Sequence, residues 1–342
     1  VAADVADALA PDSAAPAPEA EPPLSVNTSQ TISLTVENDF FGGGTDKHYT
    51  NGLRLAWLSP DLTSYADQAP DWLMPYARLL PFLDGEGVQR NVTLAISQEM
   101  YTPADTEAEH LVEEDRPYAG YLAFTWGFVS KTPKQLNSWE TSLGVVGPDA
   151  LGGWAQNNYH QLIKVQKSKG WEYQLHNEPT LNVSWQRIWR ALDVDLGQGF
   201  GLDVLPHVGA SAGTVYTGGG GGGEVRLGWR LPLDFGSSLM RSGAGVSAPA
   251  AQDDPRLKQG FGFHFFGGVD GRYVLRNIFL DGNTFQNSHR VDKLPWVGDY
   301  YWGCALTAGE WKLTFSEVYR GNEFRHQHRG HTYGSITLAW TF

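Results

Sequence analysis

The chain predicts an all-β fold, a closed antiparallel transmembrane β-barrel of about twelve strands with a short helix in one outer connection. Three observations carry that prediction. Strand-length runs alternate apolar and polar side chains from residue 31 to the last residue. The polar members of these runs include charges on every second position, as in Glu224-Val225-Arg226-Leu227-Gly228-Trp229-Arg230-Leu231, where a soluble sandwich rarely carries them. Aromatic residues make up 13% of the chain, with 13 Trp, 14 Tyr and 16 Phe, enough to furnish girdles at two membrane interfaces. No run of eighteen apolar residues occurs, which excludes a transmembrane helix and leaves the barrel open.

Val1 to about Pro23 is rich in Ala, Pro, Asp and Glu and reads as a disordered tail left after removal of a signal peptide. Residues 1–30 are therefore assigned to the tail and 31–342 to the barrel. Ile32, Leu34 and Val36 alternate with Ser33, Thr35 and Glu37, and Leu53, Leu55 and Trp57 with Arg54 and Ala56, so both runs read as strands. Further strands are expected at 90–100, 120–130, 135–146, and at about 179–192, 201–213, 223–232, 260–274, 297–308, 310–320 and 332–342. Within them Arg226, Arg230 and Lys312 are expected to face a polar lumen. The last run ends on Ile336, Leu338, Trp340 and Phe342 against small polar partners, which resembles the C-terminal signature of bacterial outer-membrane proteins.

With both termini on the periplasmic side, strand parity puts the connections at 38–51, 99–119 and 147–178 outside. The same parity makes 60–90 and about 233–259 long periplasmic connections, where short turns are the norm. Around Trp72 to Leu83 the first of these has a partly helical pattern.

A net charge of −13 and a pI near 5.2 offer no basic footprint, so no nucleic-acid partner is expected. A single cysteine, Cys304, excludes an intrachain disulfide and a zinc-cysteine site. The outer connections hold the specialised residues. The first gathers Asn38, Asp39, Thr45, Asp46, Thr50 and Asn51, short oxygen donors suited to a hard cation such as calcium, with Gly42 to Gly44 to bend the backbone; a plain polar hairpin loop is the alternative. The second carries an acidic run from Asp105 to Asp115, then Arg116 on a proline-fixed turn where it could reach a phosphate or a carboxylate. The third places Gln156 and His160 four apart on one face of a short helix. Three other signals are weak. Ser211 lies in a G-x-S-x-G pattern with no following helix, Gly218 to Gly223 reads as a flexible turn, and His326, His328 and His331 read as a solvated loop.

Together Asn38-Asp39-x-Phe, Tyr49-Thr50-Asn51-Gly52, Tyr101-Thr102-Pro103, Asp115-Arg116-Pro117-Tyr118-Ala119-Gly120, Gln156-x-x-x-His160, Gly170-Trp171, Asn177-Glu178-Pro179 and Phe279-Leu280-Asp281-Gly282-Asn283-Thr284 resemble the outer-membrane lipid A 3′-O-deacylase family. The resemblance implies an enzyme of the bacterial outer membrane, a monomer, that hydrolyses the 3′-position acyl ester of lipid A. It implies Ca2+ as cofactor at Asn38 and Asp39, and His160 as general base with Gln156 orienting it and Thr50 nearby. Arg116 and Lys164 are the expected contacts to lipopolysaccharide, and outer-membrane lipids are the surrounding partners. Two departures stand out: Gln166 lies near the position where the family carries a carboxylate, and Asp105, Glu107 and Glu109 stand where it carries bases. A catalytically silent barrel that binds lipopolysaccharide or serves structurally, and a passive pore, are the alternatives.

Overall fold

The computed structural model describes residues 27–41, 48–85, 87–163, 167–237, 239–240, 248–251 and 253–342. Among them thirteen strands run in chain order: β1 (Thr31–Asn38), β2 (His48–Leu58), β3 (Gln89–Thr102), β4 (Ala119–Lys131), β5 (Gln135–Val146), β6 (Glu178–Trp189), β7 (Leu192–Gly197), β8 (Phe200–Gly213), β9 (Tyr216–Trp229), β10 (Phe261–Asn277), β11 (Trp296–Ala308), β12 (Trp311–Arg320) and β13 (His331–Thr341). Each pairs antiparallel with its neighbours, β1 pairs with β13, and β6 and β7 pair end to end along β8. The sheet thus closes into a barrel of twelve staves, the sixth broken at Arg190 and Ala191. The expected run at 179–192 is the upper part of that stave. Its lower part, β7, pairs only with β8 and extends past the end of β5.

Alternation decides the two faces. Leu34, Leu55, Ile96, Phe124, Leu143, Leu227, Leu313 and Leu338 are exposed on the outside, while Thr35, Ser97, Thr125, Arg226, Lys312 and Thr337 are buried within. Arg230 departs from the expected pattern. It lies just beyond β9 with a positive φ of 49°, is exposed, and its guanidinium stands 4.5 Å over the Trp229 ring instead of in the lumen. Gly218 to Gly223 is no turn either; it is mid-wall strand in β9. The lumen shows why side chains are absent there. His207 on β8 and Asp270 on β10 both register on Gly222, and with no side chain between them they meet at 2.6 Å across the intervening strand.

The described part of the connection after β9 folds back into the lumen. Asp234 accepts hydrogen bonds from Arg226 at 2.6 Å, Arg256 at 3.0 Å and Lys312 at 2.7 Å, and Arg226 also holds Asp203. Burial of the Asp234 carboxylate pushes its pKa up, but Lys312, Arg256 and Arg226 together outweigh that and hold it well below the usual range. Phe235, Ala248 and Ala250 pack on the inward residues Ala56, Ala95 and Val129, and Met240 reaches up to donate its N–H to Glu37. Above this floor a polar cavity of about 230 Å³ remains, lined by Arg54, Glu99, Glu140, Asn182, His207 and Tyr216 among others.

The long connection between β2 and β3 behaves differently. It begins under the floor, where Asp61 pairs with Lys131, and then passes to the outside of the wall. There it forms two single 3₁₀ turns and the one-turn helix α1 (Met74–Ala77). Tyr65, Leu73, Ala77 and Leu83 bury the outward side chains Val92 and Phe128, and Trp139 donates to the Pro81 carbonyl at 2.9 Å.

The face assignment makes a quantitative prediction. Ile96 sits in the middle of β3 on the bare outer face, so Ile96→Arg should cost about 2–4 kcal/mol, as cations do near the midplane of an outer-membrane barrel. Its inward neighbour changed as Ser97→Asn should be nearly neutral. Denaturant titration of both variants folded into lipid vesicles measures the contrast.

Candidate active site on the outer wall

The site residues of the wall lie on its lipid-facing side at the outer end. Asn38 ends β1 opposite Asn51 of β2, Asn51 stands opposite Met100 of β3, and Met100 opposite Gly120 of β4. That row crosses four strands, roughly 14 Å at the usual interstrand spacing. A β-bulge at Thr50, between Tyr49 and Asn51, breaks the alternation of β2. Tyr49 is thereby left pointing inward to Glu37 at 2.9 Å, while Thr50 joins the outer face and its hydroxyl meets that of Thr102 at 2.8 Å. Asp39 opens the 3₁₀ turn that follows Asn38 and is buried beside it in sequence.

Helix α2 (Gly152–Ile163), from the connection after β5, packs over the outer side of this wall. It approaches so closely because glycines meet: a Cβ on Gly152 would stand 2.9 Å from the Gly120 Cα and 2.9 Å from the Trp171 ring. Gly152, Gln156 and His160 follow one another at four-residue spacing, and all three are buried, whereas Trp154 and Asn158 are exposed. The helix therefore turns the Gly152, Gln156, His160 line to the wall and leaves Trp154, Asn158 and Gln161 outward. From Gly152 to His160 it advances about 12 Å. Trp171 fixes the amide of Gln156 by donating its Nε1–H to Oε1 at 2.7 Å. That bond fixes which end of the Gln156 amide is the oxygen and which the NH₂. Asn157 ties the helix down by accepting the Ser168 backbone N–H at its side-chain Oδ1, at 3.0 Å.

Other predicted positions serve the platform. Arg116 is buried, donates to Glu323 at 3.1 Å and lies 5.0 Å over the Tyr101 ring, so it is directed into the top of the barrel and not toward lipid. Lys164 and Gln166, like Thr45 and Asp46, fall outside the described residues. His331 begins β13, buried against His48 at 5.3 Å, while His326 and His328 are exposed, so the three do not act together. Glu178 joins two distant motifs, accepting from the Thr284 N–H at 2.7 Å and the Asn283 amide at 3.2 Å, and Asn283 also bonds the His176 backbone. Sequence reasoning missed Thr102, Gly152 and Trp171 as parts of the site; the Tyr-x-Pro and Gly-Trp fragments that contain two of them were the available signal.

The family model described as Outer membrane protein LpxR matches residues 5–342. The chain belongs to that family. The structure of LpxR from Salmonella typhimurium superimposes with a TM-score of 0.72 at 22% identity, covering 91% of this chain and all of that one. The β domain of the Bordetella autotransporter BrkA matches at a TM-score of 0.43 and 8% identity over 93% of this chain and 98% of that one. No curated protein sequence matches the chain. Membership of the LpxR family, with the closed barrel, places the protein in the bacterial outer membrane.

In this LpxR family member the cap above the lumen rests on charge. Burial raises the Glu323 carboxyl, but Arg116 and Arg320 outweigh it and hold its pKa down to about 2. Its folded value lies below the unfolded one near 4.3, so its stabilisation is present above that value and is lost as pH falls toward 2. The loss expected over that interval is about 3 kcal/mol. Comparing the denaturant stability of the wild type and Glu323→Gln from pH 5 to pH 2 tests this: the gap should close as pH drops.

Proposed function

We propose that the protein hydrolyses the ester linking the 3′-position acyl chain to lipid A in the outer leaflet, with water as the nucleophile. The observation that carries the reading is the buried Gly152, Gln156, His160 line of α2, turned to the outer end of the wall while Trp154 is exposed on the other side of the helix. A protein site on the lipid-facing side of a barrel meets acyl chains directly, and a histidine is the side chain suited to remove a proton from water near neutral pH. In this reading His160 takes a proton from water as the water oxygen bonds to the ester carbonyl carbon. The carbon–oxygen bond to the sugar then breaks, and His160 returns the proton to the leaving hydroxyl. Gln156, held by Trp171, orients the reacting groups through its amide NH₂. Burial of the helix against the wall keeps bulk water away.

Asn38, Asp39, and the paired hydroxyls of Thr50 and Thr102 form an all-oxygen donor set, which fits a hard cation such as calcium. When bound, calcium supplies Lewis-acid stabilisation of the carbonyl oxygen. One carboxylate among these donors suits weak binding, in the range of extracellular calcium sites.

A second reading, a catalytically silent barrel that binds lipopolysaccharide, has one observation in its favour. Among the described residues no group of three or more His, Cys, Asp and Glu side chains converges to hold a metal. The pore reading loses its support, because the described part of the connection after β9 fills the lumen floor around Asp234.

His160→Ala should leave a folded, heat-modifiable barrel and lower acyl-chain release from purified lipid A by roughly a hundredfold or more. Ser211→Ala should retain activity, since Ser211 lies in the lumen with Ser184 at 2.7 Å. Near wild-type turnover of the histidine variant would remove His160 from the mechanism while leaving the protein a hydrolase. Release of no acyl chain by the wild type would favour the silent barrel.

The metal makes a separate prediction. Chelation should abolish hydrolysis and added calcium restore it, and Asp39→Ala should impair activity more than Asn38→Ala because it removes a charge as well as a ligand. Hydrolysis untouched by chelator would rule out the calcium step.

A further inference from the structure

We propose that the segment 62–83 is an interfacial anchor that inserts into the headgroup region of the inner, periplasmic leaflet and contacts phospholipid. Its place follows from strand parity. Ser97, Glu99 and Thr125 line the lumen, so Val92 on β3 and Phe128 on β4 face outward, and these are the residues the segment buries. The same parity holds on β5 and β6, where the segment touches Trp139, Thr141 and Trp185. Tyr65 fastens it by donating to the Val129 carbonyl at 3.0 Å, and Tyr76 meets the Thr141 hydroxyl at 2.6 Å. It therefore lies on the outside of the barrel, at the periplasmic ends of β3 to β6.

Along each of these strands the bare lipid-facing surface begins at once. Leu94 and Ile96 follow Val92 on β3, Phe124 lies four residues from Phe128 on β4, and Leu143 and Leu181 are the corresponding exposed residues on β5 and β6. Two to four residues along a strand are roughly 7–14 Å. A segment fixed that close to the hydrocarbon belt, on the outer side, stands at the depth where headgroups meet acyl chains.

The surface it turns away from the wall fits that depth. Trp72 is 73% exposed and Leu79 79%, and Phe82 is also exposed, with the Arg187 guanidinium 4.1 Å from its ring. Exposed polar neighbours accompany them, Asp71 beside Trp72 and Arg78 beside Leu79. A tryptophan and aliphatic side chains interleaved with charges are what an interfacial helix presents to phospholipid. Asp67 and Asp71 outnumber the exposed Arg78, so insertion of apolar groups, and not attraction to anionic lipid, supplies the binding. This exposed apolar face is continuous with the lipid-facing surface of β3 to β6, and its occupant is therefore lipid.

Site-directed spin labelling tests the placement. In a Cys304→Ser background, Trp72→Cys and Leu79→Cys would each carry a nitroxide, with Ile96→Cys as the hydrocarbon control and Glu114→Cys as the aqueous one. The protein is folded into vesicles of phosphatidylcholine and phosphatidylethanolamine without lipid A, and collision with oxygen and a nickel chelate is measured. Both labels should show nickel access several-fold below Glu114→Cys and oxygen access below Ile96→Cys, an intermediate depth. Nickel access equal to that of Glu114→Cys would overturn the proposal by putting the segment in water. Depth equal to that of Ile96→Cys would overturn the interfacial placement. Dipolar broadening between labels on different molecules would assign the surface to a second copy of the chain and overturn the lipid contact. None of these outcomes depends on ester hydrolysis, so the anchor and the enzyme reading stand or fall separately.

Discussion

Everything in this molecule hangs on closing the sheet. A backbone N–H or C=O left unpaired in hydrocarbon costs several kcal/mol, so a wall that spans the membrane has no free edge. Here the last closure joins β1 to β13 through eight residue pairs, from Thr31 opposite Thr341 to Asn38 opposite Gly334. Once that ladder is set, the register of every other pair follows round the wall, and each side chain is committed to lipid or lumen. A slip of one residue would exchange Leu34 and Leu338 for Thr35 and Thr337 on the hydrocarbon face. The paired threonine hydroxyls at 3.0 and 2.9 Å inside this seam are satisfied only in the observed register.

Such closure explains where function can be placed. The lumen is spent on structure: Asp203, Asp234, Arg226, Arg256 and Lys312 form a buried ion network that is stable because every charge has a partner, and removing one would leave the others uncompensated. Glu323, Arg116 and Arg320 close the top in the same way. What remains for a ligand that lives in the membrane is the outer surface of the wall. On the side of the wall that α2 covers, the bulge at Thr50 breaks the alternation of β2 and a glycine contact joins α2 to β4, and both lie at the outer end. The bulge brings polar side chains onto a face otherwise made of leucine and phenylalanine, and the glycines allow a helix to cover them.

The strands were legible in the sequence because their period of two is a local signal that lipid and lumen impose on each side chain separately. Ile336 to Phe342 and Val225 to Trp229 could be assigned to faces without any knowledge of their partners. Arg230 fails for the same reason it was trusted: alternation continues in the letters one residue beyond the point where β9 ends, and a residue with positive φ no longer obeys it. The glycine run was misread as a turn because turn propensity is a property of glycine alone, while its use here, to let His207 reach Asp270, depends on two strands that are distant in sequence. Of the candidate site, Asn38, Asp39, Thr50, Gln156 and His160 were named from motifs, but their platform was not. Trp171 holding Gln156, and Gly120 admitting Gly152, are contacts between separate connections that no local pattern encodes.

The two long periplasmic connections show how similar lengths of polar sequence come to opposite ends. Both follow a strand that descends, and both carry aromatic residues. The described part of the one after β9 offers Asp234, whose partners Arg226 and Lys312 wait on the inward faces of β9 and β12 and to which Arg256 and Asp254 join, and it goes in. The one after β2 offers Tyr65, Leu73, Tyr76 and Leu83, which match the outward Val92, Phe128 and Trp139, and it goes out. The wall therefore sorts them by the same rule that sorts its own side chains. A connection whose polar groups can be paired is drawn into the lumen, and one whose apolar groups exceed what it can bury alone is left against the membrane. On that rule the exposure of Trp72 and Leu79 is not a defect in packing but the continuation of the lipid-facing surface beyond the last strand residue.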